Sequence, residues 1–326
     1  MRASFNRRLL DQTPTLLFAV ALAGFGLSTP AFLTKENLLN IGVQAAPVGI
    51  VATGMTFVLL TGGVDLSVGA AMFVAAAVAG KLLLGGQSLA LAATAMLGIG
   101  AIWGAINAVL IARSRIAAFI VTLAMLFIGR GFALWLTETR AMNLPDSFLR
   151  VGSARFAGIP AALWLLGLVA GAAQITLSFT PFGRQLHAVG QDQEAARKAG
   201  VNTKRILTWT YLLSGIAAAL GAVTALGQLG AVTPKFGENY EFKAIAAAVL
   251  GGTSLFGGRG AVLPGTLIGA LLIQSIENGL VLRNADPYFY PLITSAIIFV
   301  AICLDRVRSA ILAKRTRRHI RVEATT

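Results

Sequence analysis

Long apolar runs, separated by charged residues, glycine or proline, recur along the whole chain. Most are close to the roughly 20 residues that a helix needs to cross a bilayer core of about 30 Å. The runs are continuous, whereas the strands of a membrane barrel alternate apolar and polar residues. We therefore predict an all-α fold, a polytopic bundle of about ten transmembrane helices. The predicted spans are 15–33, 41–61, 66–84, 89–112, 116–137, 160–180, 206–230, 242–256, 261–282 and 288–304.

Composition supports a membrane protein without a separate soluble domain. Hydrophobic residues make up 56% of the chain and charged residues 12%, whereas soluble domains have about 25% charged residues. The two longest polar stretches, 138–159 and 181–205, are too short to fold alone. We expect residues 1–326 to form one transmembrane domain, with a cytoplasmic loop at 181–205 and a basic cytoplasmic tail at 305–326.

The distribution of basic residues predicts the orientation. Of the 27 Lys and Arg residues, 18 lie in the chain ends and alternate loops, and 7 lie on the opposite side of the predicted spans. Because cytoplasmic loops retain positive charge, this asymmetry places both termini in the cytoplasm. The net charge of +14 does not indicate nucleic-acid binding, because the basic residues are spread through short loops without interleaved aromatics.

Several kinds of chemistry have no matching residues. The single Cys303 excludes a disulfide framework, and His187 and His319 lack the spacing of metal ligands. The chain has no phosphate-binding Gly-x-x-x-x-Gly-Lys-Ser/Thr motif, so it should not bind ATP itself. No nucleophile, carboxylate pair or metal cluster indicates an enzyme. We expect no cofactor on this chain.

The polar stretch 181–205 predicts a short helix of about two turns. Asp192 suits its N-cap, Glu194 its first turn, Arg197 its last turn, and Gly200 the position just past its end. A helix of this length is not stable alone in water, so a partner or the rest of the chain must hold it.

The same short helix carries three alanines, Ala195, Ala196 and Ala199. They predict a face of small side chains that could enter a narrow groove on a partner protein. The alternative is a solvated turn packed on its own spans.

A carboxylate at Asp65 interrupts the apolar runs, within a motif that includes Gly63, Ser67 and Gly69. A charged side chain costs about 2.5 to 3.5 kcal/mol at the membrane centre, so Asp65 should lie near a helix end or have partners. Asp65 or Ser67 could cap the third span. A role in gating, or contact with an ATPase, is the alternative.

The glycine-rich segment 251–260 contains Gly251, Gly252 and Arg259. Arg259 stands where a phosphate-binding loop would need Lys followed by a hydroxyl residue. We predict a turn between two helices.

Polar residues inside the predicted spans are candidates for lining a path for a hydroxylated solute. The alternative for each is a hydrogen bond to a neighbouring helix. The candidates are Gln44, Thr56, Asn107, Thr122 and Asn278.

Three motifs in this order resemble the permeases of ribose, xylose, arabinose and galactofuranose ABC importers. They are GMTFVLLTGGVDLSVG at 54–69, the stretch 181–205, and AIAAAVLGGTSLFGGRG at 244–260, and the resemblance covers about 32–305. It implies two permeases, identical or sister chains, with two cytoplasmic ATPase subunits that bind ATP and Mg²⁺, and a periplasmic sugar-binding protein. The segment that matches the family's coupling helix is Gln191, Asp192, Gln193, Glu194, Ala195, Ala196, Arg197, Lys198, Ala199 and Gly200.

A secondary transporter driven by an ion gradient is the alternative function. Such a transporter usually needs acidic or His side chains inside the membrane. Asp65, Glu241 and Glu277 are the candidates, all near predicted span ends.

Overall fold

The computed structural model of the protein describes residues 13–286, together with 288–290, 292–293, 295–296, 299 and 303. The basic tail at 305–326 and 8 of the 17 residues of the predicted span 288–304 lie outside the described residues. The rest is an all-α bundle with two very short strand pairs.

The helices follow most of the predicted apolar runs. They are α1 (Thr13–Ser28), α2 (Lys35–Leu60), α3 (Val68–Leu84), α4 (Leu89–Ala112), α5 (Ala118–Thr137), α6 (Asp146–Gly152), α7 (Ala161–Phe179), α8 (Pro181–Gln191), α9 (Gln193–Lys198), α10 (Thr203–Leu229), α11 (Tyr240–Leu250) and α12 (Leu267–Leu282). A π-helical segment, Val262–Thr266, leads into α12.

In the ranges that the structure describes, four strands of two residues each lie in the loops between helices and form two pairs. They are β1 (Met142–Asn143), β2 (Arg155–Phe156), β3 (Ile159–Pro160) and β4 (Ala231–Val232). β1 pairs with β4, with Met142 opposite Val232, and β2 pairs with β3; both pairs are antiparallel. The first pair joins the loop after α5 to the loop after α10.

Six helices in the described part of the chain are long and apolar enough to cross a membrane. They are α2, α4, α5, α7, α10 and the continuous segment Val262–Leu282, while α1 and α3 are apolar but shorter. The predicted span 242–256 is wrong as a full span, because its helix, α11, has 11 residues and measures about 16 Å. Gly251 and Gly252 end it, and Gly252 has φ +93°.

α2 and α10 occupy the centre of the bundle. In an apolar stretch of 18 residues within α2, 89% of the residues are buried. α10 packs closely on α4 where Gly215 faces Gly100 and Gly104, so that a Cβ on any of the three would collide with main chain of the facing helix. Small residues let helix backbones approach in this way.

Candidate coupling and transport site

The polar stretch 181–205 contains two complete helices, α8 and α9, and the first residues of α10, whereas the sequence predicts a loop with one short helix. The short helix α9 is confirmed, and the carboxylate of Asp192 accepts hydrogen bonds of 2.9 Å from the main-chain N–H groups of Glu194 and Ala195. The preceding helix, α8, was missed. Its signal is Thr180 before Pro181: the threonine hydroxyl accepts from Gly183 N–H at 3.3 Å, and proline occupies the first helical position.

The C-terminus of α9 is closed by a Schellman motif. Gly200 N–H donates to Arg197 C=O at 3.1 Å, and Val201 N–H donates to Ala196 C=O at 3.0 Å. Gly200 has φ +87°, a conformation that favours glycine. The helix is therefore fixed at both ends by its own chain.

Ala196 does not lie on the outer face of α9, which corrects the predicted three-alanine face. It is 6% exposed and belongs to an apolar cluster with Leu60, Leu186 and Ile206. Ala195 and Ala199 are exposed. Residues four apart share a helix face, so these two alanines point outward together while Ala196 anchors the helix inward.

The outer surface of α9 is polar and charged. Gln193, Glu194, Arg197 and Lys198 are exposed. Lys198 Nζ lies 3.1 Å from Glu194 Oε1, and this exposed pair adds little stability. The surface is accessible to a partner protein.

Four glycines, Gly62, Gly190, Gly257 and Gly258, bring the three sequence motifs into contact. The carbonyl of Leu60, the last residue of α2, accepts from Gly258 N–H at 2.9 Å. A Cβ on Gly190, near the end of α8, would collide with that same carbonyl and with Gly258 N. A Cβ on Gly257 would lie 2.9 Å from Gly62 N. We call this junction of α2, α8 and the loop 251–260 the glycine clamp.

The loop 251–260 is a turn between α11 and the segment that leads into α12, as predicted. Ser254 N–H donates to Arg259 C=O at 2.8 Å, which closes the turn. Gly252, Gly257 and Gly258 have positive φ. His187 Nδ1 lies 3.2 Å from Gly258 O, which ties the turn to α8.

Asp65 lies 1% exposed at the centre of a polar network. Its Oδ1 accepts from the N–H and the hydroxyl of Ser67, at 3.0 and 2.7 Å, and its Oδ2 accepts from the Ser214 hydroxyl at 2.8 Å. Asn107 Nδ2 donates to the Ser67 hydroxyl at 2.8 Å. The network joins the connection 61–67 to α4 and α10.

The prediction that Asp65 or Ser67 caps the first turn of α3 with its side chain is wrong. Ser67 is the N-cap residue of α3, but its side chain makes no capping hydrogen bond. Among main-chain N–H groups of the described residues, Asp65 accepts only from that of Ser67 itself. The carboxylate is also too deeply buried to reach a partner protein directly.

The two glycines of this motif allow close approaches to other helices. A Cβ on Gly63 would lie 2.6 Å from the Tyr211 hydroxyl. A Cβ on Gly69 would collide with the carbonyl of Gly237 and the carboxylate of Glu241.

Four of the five candidates for lining a solute path are buried and bonded within the chain. Thr56 donates to Ala52 C=O, Asn107 to Ser67, and Thr122 to Ala118 C=O. Asn278 exchanges two hydrogen bonds with Asn37, at 2.9 and 3.0 Å. Gln44 alone among the five is exposed. Sequence cannot distinguish these positions, because all five are polar residues inside apolar runs.

The three acidic residues that could couple transport to an ion gradient, Asp65, Glu241 and Glu277, differ in their hydrogen-bond and ion-pair partners. Glu277 forms a 2.8 Å ion pair with Lys243, and Asp65 is fully hydrogen-bonded. Glu241 is 5% exposed, and its Oε2 has no hydrogen-bond partner. Arg130, nearby, donates to Phe236 C=O at 2.8 Å and lies over the Phe73 ring.

Comparison with known proteins gives the family. A model described as branched-chain amino acid transport system / permease component matches residues 37–302. The ribose import permease protein of Bacillus subtilis strain 168 is 39% identical, over 95% of this chain and 97% of its own. The ribose import permease protein of Escherichia coli K12 is 36% identical (91% and 94%), and the D-allose transport system permease protein of that strain 33% identical (90% and 90%).

No solved structure matches the chain. The family match covers most of the chain, and the relatives align over nearly their full length. Together with the apolar helices, these similarities make the chain a multi-pass inner-membrane protein that belongs to the permease family of sugar ABC importers.

Proposed function

We propose that this chain is the permease subunit through which an ABC importer moves a sugar or polyol across the inner membrane. A separate cytoplasmic subunit binds ATP and Mg²⁺ and supplies the energy, and a periplasmic sugar-binding protein delivers the solute. The chain works beside a second copy of itself or a sister permease. Residues 1–326 act as one transmembrane domain without a cofactor of their own.

The arrangement of α9 is the observation that carries this proposal. Its outer face is exposed and charged, while Ala196 on its inner face packs into the apolar cluster with Leu60 and Leu186. The helix that precedes α9, α8, is joined by the glycine clamp to the end of α2 and to the loop 251–260. A displacement of α9 by a partner would therefore also displace α8, the end of α2 and the loop 251–260, because close-packed main-chain contacts cannot be compressed.

This function requires α9 to face the cytoplasm. The segment 181–205 around it carries Arg184, Arg197, Lys198, Lys204 and Arg205, and such a concentration is typical of a cytoplasmic loop. The first turns of α2 then lie at the periplasmic end, because α2 ends at Leu60 beside the clamp.

The test is uptake by proteoliposomes that contain the permease, its ATPase and its binding protein. The relatives' names make ribose, fructose and D-allose the first solutes to try. We expect uptake to require ATP on the side of the membrane that carries the ATPase subunit. We also expect uptake to persist when ionophores collapse ion gradients. Accumulation by the permease without its ATPase, driven by an ion gradient, would instead establish the secondary-transporter alternative.

A further inference from the structure

A chain of side-chain amides lies near the beginning of α2. Gln274 Nε2, on α12, donates to Gln44 Oε1 at 2.8 Å. Gln44 Nε2 donates in turn to Asn40 Oδ1 at 3.0 Å. We call Asn40, Gln44 and Gln274 the amide cluster.

The amide cluster runs from a buried residue to an exposed helix face: Gln274 is 8% exposed, whereas Gln44 and Asn40 are exposed. α2 is the most buried of the long apolar helices, yet Asn40 and Gln44 are exposed and share one face, four residues apart. Polar side chains within membrane helices face the bundle interior or a water-filled cavity, since lipid cannot satisfy their hydrogen bonds. An exposed face on a central helix therefore indicates a hydrated crevice between helices.

The hydrogen bonds of the cluster leave specific groups available. Within the described residues, no hydrogen bond uses the Asn40 Nδ2 or the Gln274 Oε1. The cluster thus offers N–H donors at one end and a carbonyl acceptor at the other. Hydroxyl groups both donate and accept, so two separate hydroxyls of one polyol can match the two ends.

The cluster is also electrically neutral. Three amides carry no charge, and the charged neighbour Glu277, one turn from Gln274, is neutralised by Lys243 at 2.8 Å. A phosphorylated or carboxylated solute would find no unpaired cation among these residues. The chemistry favours an uncharged ligand.

We propose that the amide cluster is a binding site on the permease itself for a neutral polyhydroxylated solute, a sugar or a polyol. This inference rests on the proposed function and names residues that contact the transported solute. Gln44 is 16 residues before Leu60 on the same helix, or about 24 Å away. α2 therefore connects the solute site at one end of the bundle with the glycine clamp at the other.

Saturation-transfer NMR on the full-length permease in lipid nanodiscs tests the site without binding protein or ATPase. The probes are D-ribose, D-fructose, D-allose and ribitol, with ribose 5-phosphate as the charged comparison. We expect transfer to at least one neutral probe and none to ribose 5-phosphate. Gln44→Leu should weaken the Kd of the bound probe about tenfold, since both links of the amide chain are lost.

Gln87→Leu is the matched control, because Gln87 is exposed in the turn after α3 and makes no described side-chain hydrogen bond. Asn40→Ala is a second test variant: its side chain is exposed, so the fold should tolerate the change, and it should also weaken binding. Absence of transfer from every neutral probe would overturn the site. So would unchanged affinity in both test variants, or equal binding of ribose 5-phosphate.

Failure of this site and failure of the proposed function give different results. If ATP-dependent uptake is observed while no neutral probe binds the isolated permease, the amide cluster is only a link between helices. If a probe binds with the expected variant effects but accumulation needs no ATPase, the solute site stands and the importer function is wrong.

Discussion

The side-chain amide of Gln228 donates a 2.6 Å hydrogen bond to the main-chain carbonyl of Val43. Val43 is four residues before Pro47, which lies inside α2. Proline has no N–H, so the Val43 carbonyl has no donor within its own helix. α10 therefore supplies from its side chain the hydrogen bond that α2 lacks, at a point where an unsatisfied backbone group in a membrane would be costly.

This relationship predicts that Gln228→Leu destabilises the permease much more when Pro47 is present than when it is replaced. Leaving the carbonyl without a donor should cost about 1 to 3 kcal/mol, which lowers the thermal midpoint of the purified protein. In a Pro47→Ala background the helix regains its own N–H donor, so the same substitution should cost much less. The four proteins form a double-mutant cycle that isolates this coupling.

Thermal unfolding in detergent, followed by size-exclusion chromatography, measures the cycle. Gln87→Leu controls for the general effect of replacing an exposed glutamine with leucine. An equal loss of stability from Gln228→Leu in both backgrounds would show that Gln228 contributes in another way.

A second prediction concerns the polar network around Asp65. Ser214→Ala removes the donor to Oδ2 and leaves that oxygen buried without a partner, at a cost of about 1 to 3 kcal/mol. Ser153→Ala should have little effect, because Ser153 is exposed and bonds only to the main chain of its own turn. The thermal midpoints of the two variants decide the matter, and indistinguishable values would mean that Asp65 is satisfied by Ser67 alone.

The parts of this fold that sequence predicts are those that depend on local patterns. Apolar run length gives the helices, and Asp192 with Gly200 gives both ends of α9, because capping depends on residues a few positions apart. The Thr180–Pro181 pair is an equally local signal for α8, but the helix that follows it is short and polar and so has no apolar run to indicate it.

Sequence does not reveal the direction in which a side chain on a short helix points. Ala195, Ala196 and Ala199 are chemically alike, and only the apolar cluster around Leu60 and Leu186 makes Ala196 the inward one. The glycine clamp cannot be seen in the sequence either, because it joins Gly62, Gly190 and the Gly257–Gly258 pair, which are far apart in the chain. Contacts between distant residues depend on packing, which no local pattern contains.

The glycine clamp predicts a variant that separates ATP hydrolysis from transport. In Gly190→Ala, the new methyl group would collide with the Leu60 carbonyl, so α8 must move away from the end of α2. We expect the ATPase still to bind and hydrolyse ATP, while solute uptake per ATP hydrolysed falls several-fold. Gly98→Ala is the control, since no atom lies within 4 Å of the added Cβ. Unchanged uptake per ATP in Gly190→Ala would remove the clamp from the coupling route.

The two faces of α9 predict opposite consequences for two neighbouring alanines. Ala195 is exposed, so Ala195→Trp should leave the permease stable but obstruct a close-fitting groove on the ATPase. Overpacking costs about 1 to 3 kcal/mol, which corresponds to about one or two orders of magnitude in association. Ala196 is buried at 6% exposure, so Ala196→Trp should instead lower the thermal midpoint of the permease itself. Glu194→Ala should weaken association less, since an exposed charge pair is worth under about 1 kcal/mol.

Co-purification of the ATPase, normalised to permease in the membrane, measures association, and thermal unfolding of the permease alone measures stability. Ala90→Trp, at an exposed position on α4, controls for the bulk of tryptophan on the protein surface. The two readouts separate a docking surface from a structural turn. If Ala195→Trp recovers as much ATPase as the Ala90→Trp control, the outer face of α9 does not enter a groove, and the partner must contact the permease elsewhere, beginning with the exposed Arg259 in the loop of the glycine clamp.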